Sequence, residues 1–167
     1  MVALSLLIFC APSCCSVTVE VKLNTSKLLN TVNEHFVSFT LSMSDLKDHF
    51  KEHNISNPIV SQLAHVYSPG VVRVGGTFAD SVVFNPNASR YQLLKVEQTT
   101  NTLTSFDWKV FNDFAESSGL QLLFDLNNQL RYEGQWDPTN AELLFEETIS
   151  KGYNPVWWQL GNGSPTP

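Results

Sequence analysis

Four β-rich runs separated by amphipathic stretches constrain the fold of this chain more than any other feature. The runs are FVSFTL (36–41), VVRVGG (71–76), LQLLFDL (120–126) and PVWWQL (155–160), with starts 35 to 49 residues apart. Between them lie stretches with helical signals. Asn57-Pro58 places proline at a helix start, and Ile59, Leu63 and Val66 give that helix one apolar face, stopped by Ser68-Pro69-Gly70. Thr104 or Ser105 caps a second helix carrying Phe106, Val110, Phe111 and Phe114 and ending at Gly119. Asp137-Pro138-Thr139-Asn140 opens a third, with Leu143, Leu144 and Thr148 on one side and Lys151-Gly152 at its end. A charged stretch over 45–53 also reads as helical. Strictly alternating strands and helices imply a parallel α/β sheet with right-handed crossovers. Such a set fits a small open sheet or the first half of a (β/α)8 barrel.

Composition narrows the function classes. Hydrophobic residues make up 43% of the 167 and charged residues 16%, which excludes wholesale disorder. Net charge is −6 and no Lys/Arg-rich run occurs, so nucleic acid is not an expected partner. The three cysteines, Cys10, Cys14 and Cys15, sit in the first fifteen residues, which leaves no thiol chemistry for the rest. That opening segment is a short apolar run followed by small residues. It reads as a secretory signal peptide over 1–16, too short to span a bilayer. Sequons at Asn24, Asn54, Asn87 and Asn162 agree with export, and glycosylation is expected at the first three. Residues 17–23 alternate apolar and polar as a half-buried strand does, giving an N-terminal β-strand segment over 17–35.

In a barrel, function sits where strands finish. Here those ends are Leu41-Ser42-Met43, Gly75-Gly76-Thr77, Asp125-Leu126-Asn127-Asn128 and Gly161-Asn162, all small or polar and suited to hydrogen-bonding a hydroxyl-rich ligand. Turns use the same residues for their own reasons. His35, His49, His53 and His65 make no compact ligand set, so no metal is expected. Trp157 and Trp158 fall on opposite faces of the last strand, one toward the helix layer and one toward the interior.

Three segments together resemble the heparanase family, family 79 of the glycoside hydrolases. The first is LAHVYSPGVVRVGGT (63–77), continuing to Asp80 and Phe84-Asn85-Pro86. The second is FAESSGLQLLFDLN (114–127), with Leu130-Arg131. The third runs through Trp136, Asn140-Ala141, Leu143-Leu144, SKGYN (150–154) and WQLGN (158–162). The likeness covers roughly residues 36 to 162. It implies the N-terminal half, about four βα units, of a (β/α)8 TIM barrel, preceded by a strand belonging to a β-sandwich. It also implies a retaining endo-β-glucuronidase lineage acting on heparan sulfate. In such enzymes two carboxylates about 5 to 5.5 Å apart act as acid/base and nucleophile, with no metal or organic cofactor.

The resemblance transfers residue by residue. Thr77, Gly76 and Asn162 match substrate-binding positions, and Arg73 matches an arginine that orients the site. Ser42 stands where the family has a cleft aspartate. Gly163 stands where the acid/base glutamate is expected, and 163–167 read as a divergent tail, so no catalytic residue is assigned. The expectation is a truncated chain inactive alone. The alternative is a noncatalytic carbohydrate- or partner-binding isoform, pairing with a full-length homologue or a missing C-terminal half. Secreted or lysosomal location follows, with membrane association as a further family trait. Four barrel strands without their partners leave an open edge at Val156-Trp157-Trp158, an aggregation hazard. The isolated chain is therefore expected to be poorly soluble. A cooperative thermal unfolding transition of purified monomer contradicts that.

Overall fold

The structure is a computed structural model and describes residues 26, 29–44, 54–88 and 101–163. The leader, the strand over 17–23, Asn24, the helix over 45–53 and residues 164–167 lie outside the described residues. The chain divides into two compact units, Met1–Val32 and Asn33–Pro167, and every described strand and helix belongs to the second. In chain order these are β1 (Ser38–Ser42), α1 (Pro58–Ala64), β2 (Val71–Gly75), β3 (Val83–Phe84), β4 (Thr102–Leu103), α2 (Ser105–Ser118), β5 (Gln121–Leu126), β6 (Arg131–Tyr132), β7 (Gln135–Trp136), α3 (Thr139–Ser150) and β8 (Trp157–Leu160).

β1, β2, β5 and β8 form one parallel sheet in that order, within the four runs expected from sequence. Each strand lies beside its predecessor, with no reversal of order. Right-handed crossovers then carry all the helices to one face, which distinguishes this sheet from a doubly wound one. The architecture is mixed α/β and compatible with a partial TIM-barrel-like domain.

Register separates the two faces. Phe39, Val72, Leu122 and Leu41, Val74, Phe124, Trp158 align across the strands and meet the helices. Trp108 of α2, fully buried, centres this layer. Its ring lies 4.9 Å from Phe124 edge-on and 5.8 Å from Trp158 in a stack, and its indole N–H donates to Thr148 Oγ1 at 3.1 Å. Phe145 of α3 closes on Trp158 at 4.6 Å. The opposite face carries Ser38, Thr40, Arg73, Gly75, Asp125, Trp157 and Gln159. The two tryptophans therefore divide as the strand period requires. Trp158 joins the core, and Trp157 is 44% exposed and touches the His35 ring edge-on.

The apolar face expected on α1 is not the buried one. Ile59, Leu63 and Val66 are exposed, whereas Ser61 and Ala64 are buried where α1 packs against α2. Small residues three apart let the two helices approach closely, which leaves the larger side chains on the far side of this short helix. Leu143 is likewise exposed, while Ala141, Leu144 and Thr148 form the buried stripe of α3; Phe106 on α2 is exposed too. β3 and β4 pair in parallel, and Asn140 brackets Phe84 by accepting from its N–H at 2.9 Å and donating to its carbonyl at 2.8 Å.

Thr104 caps α2 as expected. Its Oγ1 accepts from the Asp107 N–H at 3.1 Å, and the Asp107 carboxylate accepts from the Thr104 N–H at 3.2 Å and hydroxyl at 2.7 Å. The helix ends at Gly119 in the left-handed region. Because this reciprocal cap is buried, Thr104→Ala is expected to cost about 1 to 2 kcal/mol. Denaturant titration checks it as a lower midpoint at unchanged slope.

Candidate functional site

The helix-free face gathers its polar side chains where the strands finish. Arg73 projects from β2 onto this face, with a side chain 22% exposed. Its Nη2 donates to Asp125 Oδ2 on β5 at 2.7 Å and to Asn162 Oδ1, just past β8, at 2.8 Å. Its Nε donates to Gln159 Oε1 of β8 at 3.0 Å. Gln159 is held in turn by donating from Nε2 to the Gly161 carbonyl at 2.8 Å. One guanidinium thus joins three strands.

Two glycines make this geometry possible. A Cβ on Gly75 would lie 2.8 Å from Arg73 Cζ and 2.9 Å from Nη2, so the guanidinium rests on bare backbone. Gly76 adopts φ +108°, a region open to glycine, and turns the chain out of β2. The short 3-10 turn Ala79–Ser81 that follows buries Asp80, whose Oδ1 accepts from the Asn162 N–H at 2.8 Å. Thr77 is exposed, with Oγ1 3.5 Å from Asn162 Nδ2.

The structure brings Arg73, Gly76, Thr77 and Asn162 together. Ser42, at the end of β1, has its hydroxyl near Gly76 and hydrogen-bonded to Ser44 Oγ at 2.7 Å. Gly163 is exposed, with φ +80° and open space where a side chain would begin. Asn54 and Asn87 lie exposed in turns. Among the described residues no group of three or more His, Cys, Asp or Glu is placed to hold a metal ion.

Sequence reasoning placed Asp125 only among the polar strand ends, with no specific role, and passed over Asp80 and Gln159 as site residues. Asp125 carried a usable sign: it is the one charged residue in the apolar run 120–126, on the face opposite Phe124. It is completely buried, and its Oδ1 has no partner in hydrogen-bonding geometry. Burial pushes its carboxyl from the ordinary 3.8 up to about 6, against the downward pull of Arg73 and the Gly76 amide; Asp80 adds a smaller upward push.

Residues 18–165 match the family model for the N-terminal domain of glycosyl hydrolase family 79. The chain belongs to that family. It is 30% identical to heparanase of Gallus gallus over 187 aligned positions, covering 87% of this chain and 36% of the relative. It is also 30% identical to hyaluronoglucuronidase of Hirudo nipponia, covering 86% and 35%. Heparanase-like protein 2 of Arabidopsis thaliana is 25% identical over 65% of this chain and 23% of its own length. The chain thus spans about a third of the length of the first two family 79 relatives. The polar cluster is carried by β2, β5 and β8 and the turns after β2 and β8, all inside the matched region.

Asp125 gives the family 79 fold a testable pH dependence. A carboxyl whose folded pKa exceeds its unfolded value keeps its proton longer in the native state. This contribution is therefore favourable at acid pH and declines as pH rises from about 4 to about 6. Asp125→Asn, neutral throughout, is expected to lack that decline. Unfolding free energies of the two proteins across this window check it through their difference. A constant difference counts against the raised pKa.

Proposed function

We propose that this chain is a heparanase-type glycoside hydrolase in lineage, of the endo-β-glucuronidase kind, and that its polar face is the sugar-binding wall of a (β/α)8 cleft directed at heparan sulfate. The observation that carries the reading is the Arg73–Asp125–Asn162 cluster. It stands beside Thr77 at the strand ends of a helix-free sheet face. Hydrogen-bond donors and acceptors held there by buried charge suit a hydroxylated ligand. The sequential parallel sheet supports the barrel assignment, and the likeness to heparanases supports the substrate class.

With the residues it carries, the chain binds sugar without cleaving it. A retaining mechanism needs one carboxyl to protonate the leaving oxygen and a second to attack the anomeric carbon. Glycine at 163 has no proton to give. Asp125 and Asp80 do not substitute, since one is committed to Arg73 and the other to the Asn162 backbone. Electrostatics favour modest affinity, since net charge is −6 and a polyanion gains little long-range attraction. The sequons at Asn24, Asn54 and Asn87 and the apolar leader support a secreted or lysosomal location. No helix among the described residues is long and apolar enough to cross a membrane.

A second reading, a noncatalytic product that pairs with a full-length homologue or with a C-terminal half, is favoured by one observation. Trp157 and Leu160 are 44% and 52% exposed on β8, whose outer edge is unpaired among the described residues. Calorimetric titration with a size-defined heparan sulfate oligosaccharide tests the first reading. Binding is expected, weakened about tenfold by Asn162→Ala, the loss of one hydrogen-bonding group. No reducing ends should be released. Equal binding by the variant removes the cleft assignment, and release of reducing ends removes the claim, common to both readings, that the chain does not cleave.

A further inference from the structure

An arginine donates hydrogen bonds and accepts none. The Asn162 atom 2.8 Å from Arg73 Nη2 is therefore the carbonyl Oδ1, and Nδ2 is turned toward Thr77. The reverse flip would set an NH2 group against a guanidinium. The 3.5 Å from Nδ2 to Thr77 Oγ1 is long for a hydrogen bond, which leaves the amide protons available to an acceptor from outside.

Arg73 is itself held from several sides. Nη2 has two protons, one shared with Asp125 Oδ2 and one with Asn162 Oδ1. Nε is taken by Gln159, and the plane of the group sits over Gly75. Asp125 is the carboxylate bonded to the guanidinium and has no exposure to water. The charged groups acting on Asp125 are Arg73 on β2 and Asp80 in the following turn, with the Gly76 amide as a third influence. Asp80 spends its Oδ1 on the Asn162 backbone, so the two carboxylates fix different parts of the same asparagine.

We propose that Asp125 is a positioning residue. Through Arg73 it locks the Asn162 amide with its NH2 toward the cleft, which makes that wall a hydrogen-bond donor to an oxygen acceptor of a sugar. The inference rests on the sugar-binding reading of the cleft. It adds a residue that touches no ligand and a polarity for one that does. Ligand oxygens, rather than ligand donors, are what this position selects.

The test uses the full chain with Asp125→Asn, Asp125→Ala, Gly75→Ala and Asn162→Ala, read in two ways. The first reading is the side-chain amide NMR signal of Asn162, assigned by its loss in Asn162→Ala. That signal is expected to titrate near pH 6 in the wild type, to stay constant in Asp125→Asn, and to move in Asp125→Ala and Gly75→Ala. The second is titration with a heparan sulfate oligosaccharide. Affinity is expected to fall about tenfold in Asp125→Ala and Gly75→Ala, as in Asn162→Ala. Asp125→Asn should restore most of it, because its amide oxygen still accepts from Arg73. The Asp125→Ala, Asn162→Ala double variant should bind no worse than Asn162→Ala alone. If Asp125→Ala does not fold, the isosteric Asp125→Asn still decides, with Gly75→Ala displacing the Arg73 guanidinium from beneath. An Asn162 signal indifferent to pH, to Asp125→Asn and to Gly75→Ala overturns the proposal. So does wild-type affinity in Gly75→Ala alongside weakened binding in Asn162→Ala. Failure of the wild type to bind the oligosaccharide overturns the sugar reading instead, and the amide signal still decides the positioning.

Discussion

The guanidinium of Arg73 ties β2, β5 and the end of β8 together on the side of the sheet where no helix packs. Its partner Asp125 is fully buried, and the balance of forces on that carboxyl is informative. Desolvation raises its pKa more than Arg73 and the Gly76 amide lower it. The ion pair therefore does not repay the cost of burying the charge, as is common for buried pairs. What it contributes is geometry. A planar group with fixed donor directions, seated on a glycine and gripped by three acceptors, holds the asparagine beyond β8 in one orientation.

That polar face depends on the apolar one behind it. Strand residues alternate, so fixing Val72, Val74, Phe124 and Trp158 in the helix layer also fixes Arg73, Asp125 and Gln159 on the other side. Trp108 is the common neighbour. It contacts β5 through Phe124 and β8 through Trp158, and it is anchored to α3 through Thr148. A slip of one residue in either strand would carry Asp125 or Gln159 into the helix layer. The core thus sets the register on which the Arg73 fork relies, although no member of the fork belongs to the core.

Much of this was legible in the residues, for reasons that differ by element. The strands were readable because their apolar, β-branched or aromatic runs end in small or polar residues, glycine or asparagine in three of the four. The start of α2 was readable to within a residue because Thr104 and Ser105 are both residue types that cap helices, and the structure chooses Thr104. α1 was misread: periodicity marks an apolar stripe but does not say whether another element covers it, and here Ser61 and Ala64 make the close contact. The same ambiguity put Leu143 on the wrong side of α3. At the site, Arg73, Gly76, Thr77 and Asn162 stood out by resemblance. Asp125 did not, because its partner lies 52 residues away and only the pairing of β2 with β5 brings the two together.

The degree of restraint changes between two adjacent residues. Asn162 is fixed through its backbone by Asp80 and through its side chain by Arg73. Gly163, next along, is exposed, takes a positive φ and meets none of the described residues where a side chain would start. Restraint therefore stops at the residue that presents an amide. Among the described residues, a carboxyl added at 163 would have no neighbour to raise its pKa, which a general acid requires. The two carboxylates of the cluster, Asp125 and Asp80, are committed to Arg73 and to the Asn162 backbone. Among the described residues, what is built to a fixed geometry is a hydrogen-bonding wall, and its one movable proton belongs to Asp125, behind that wall.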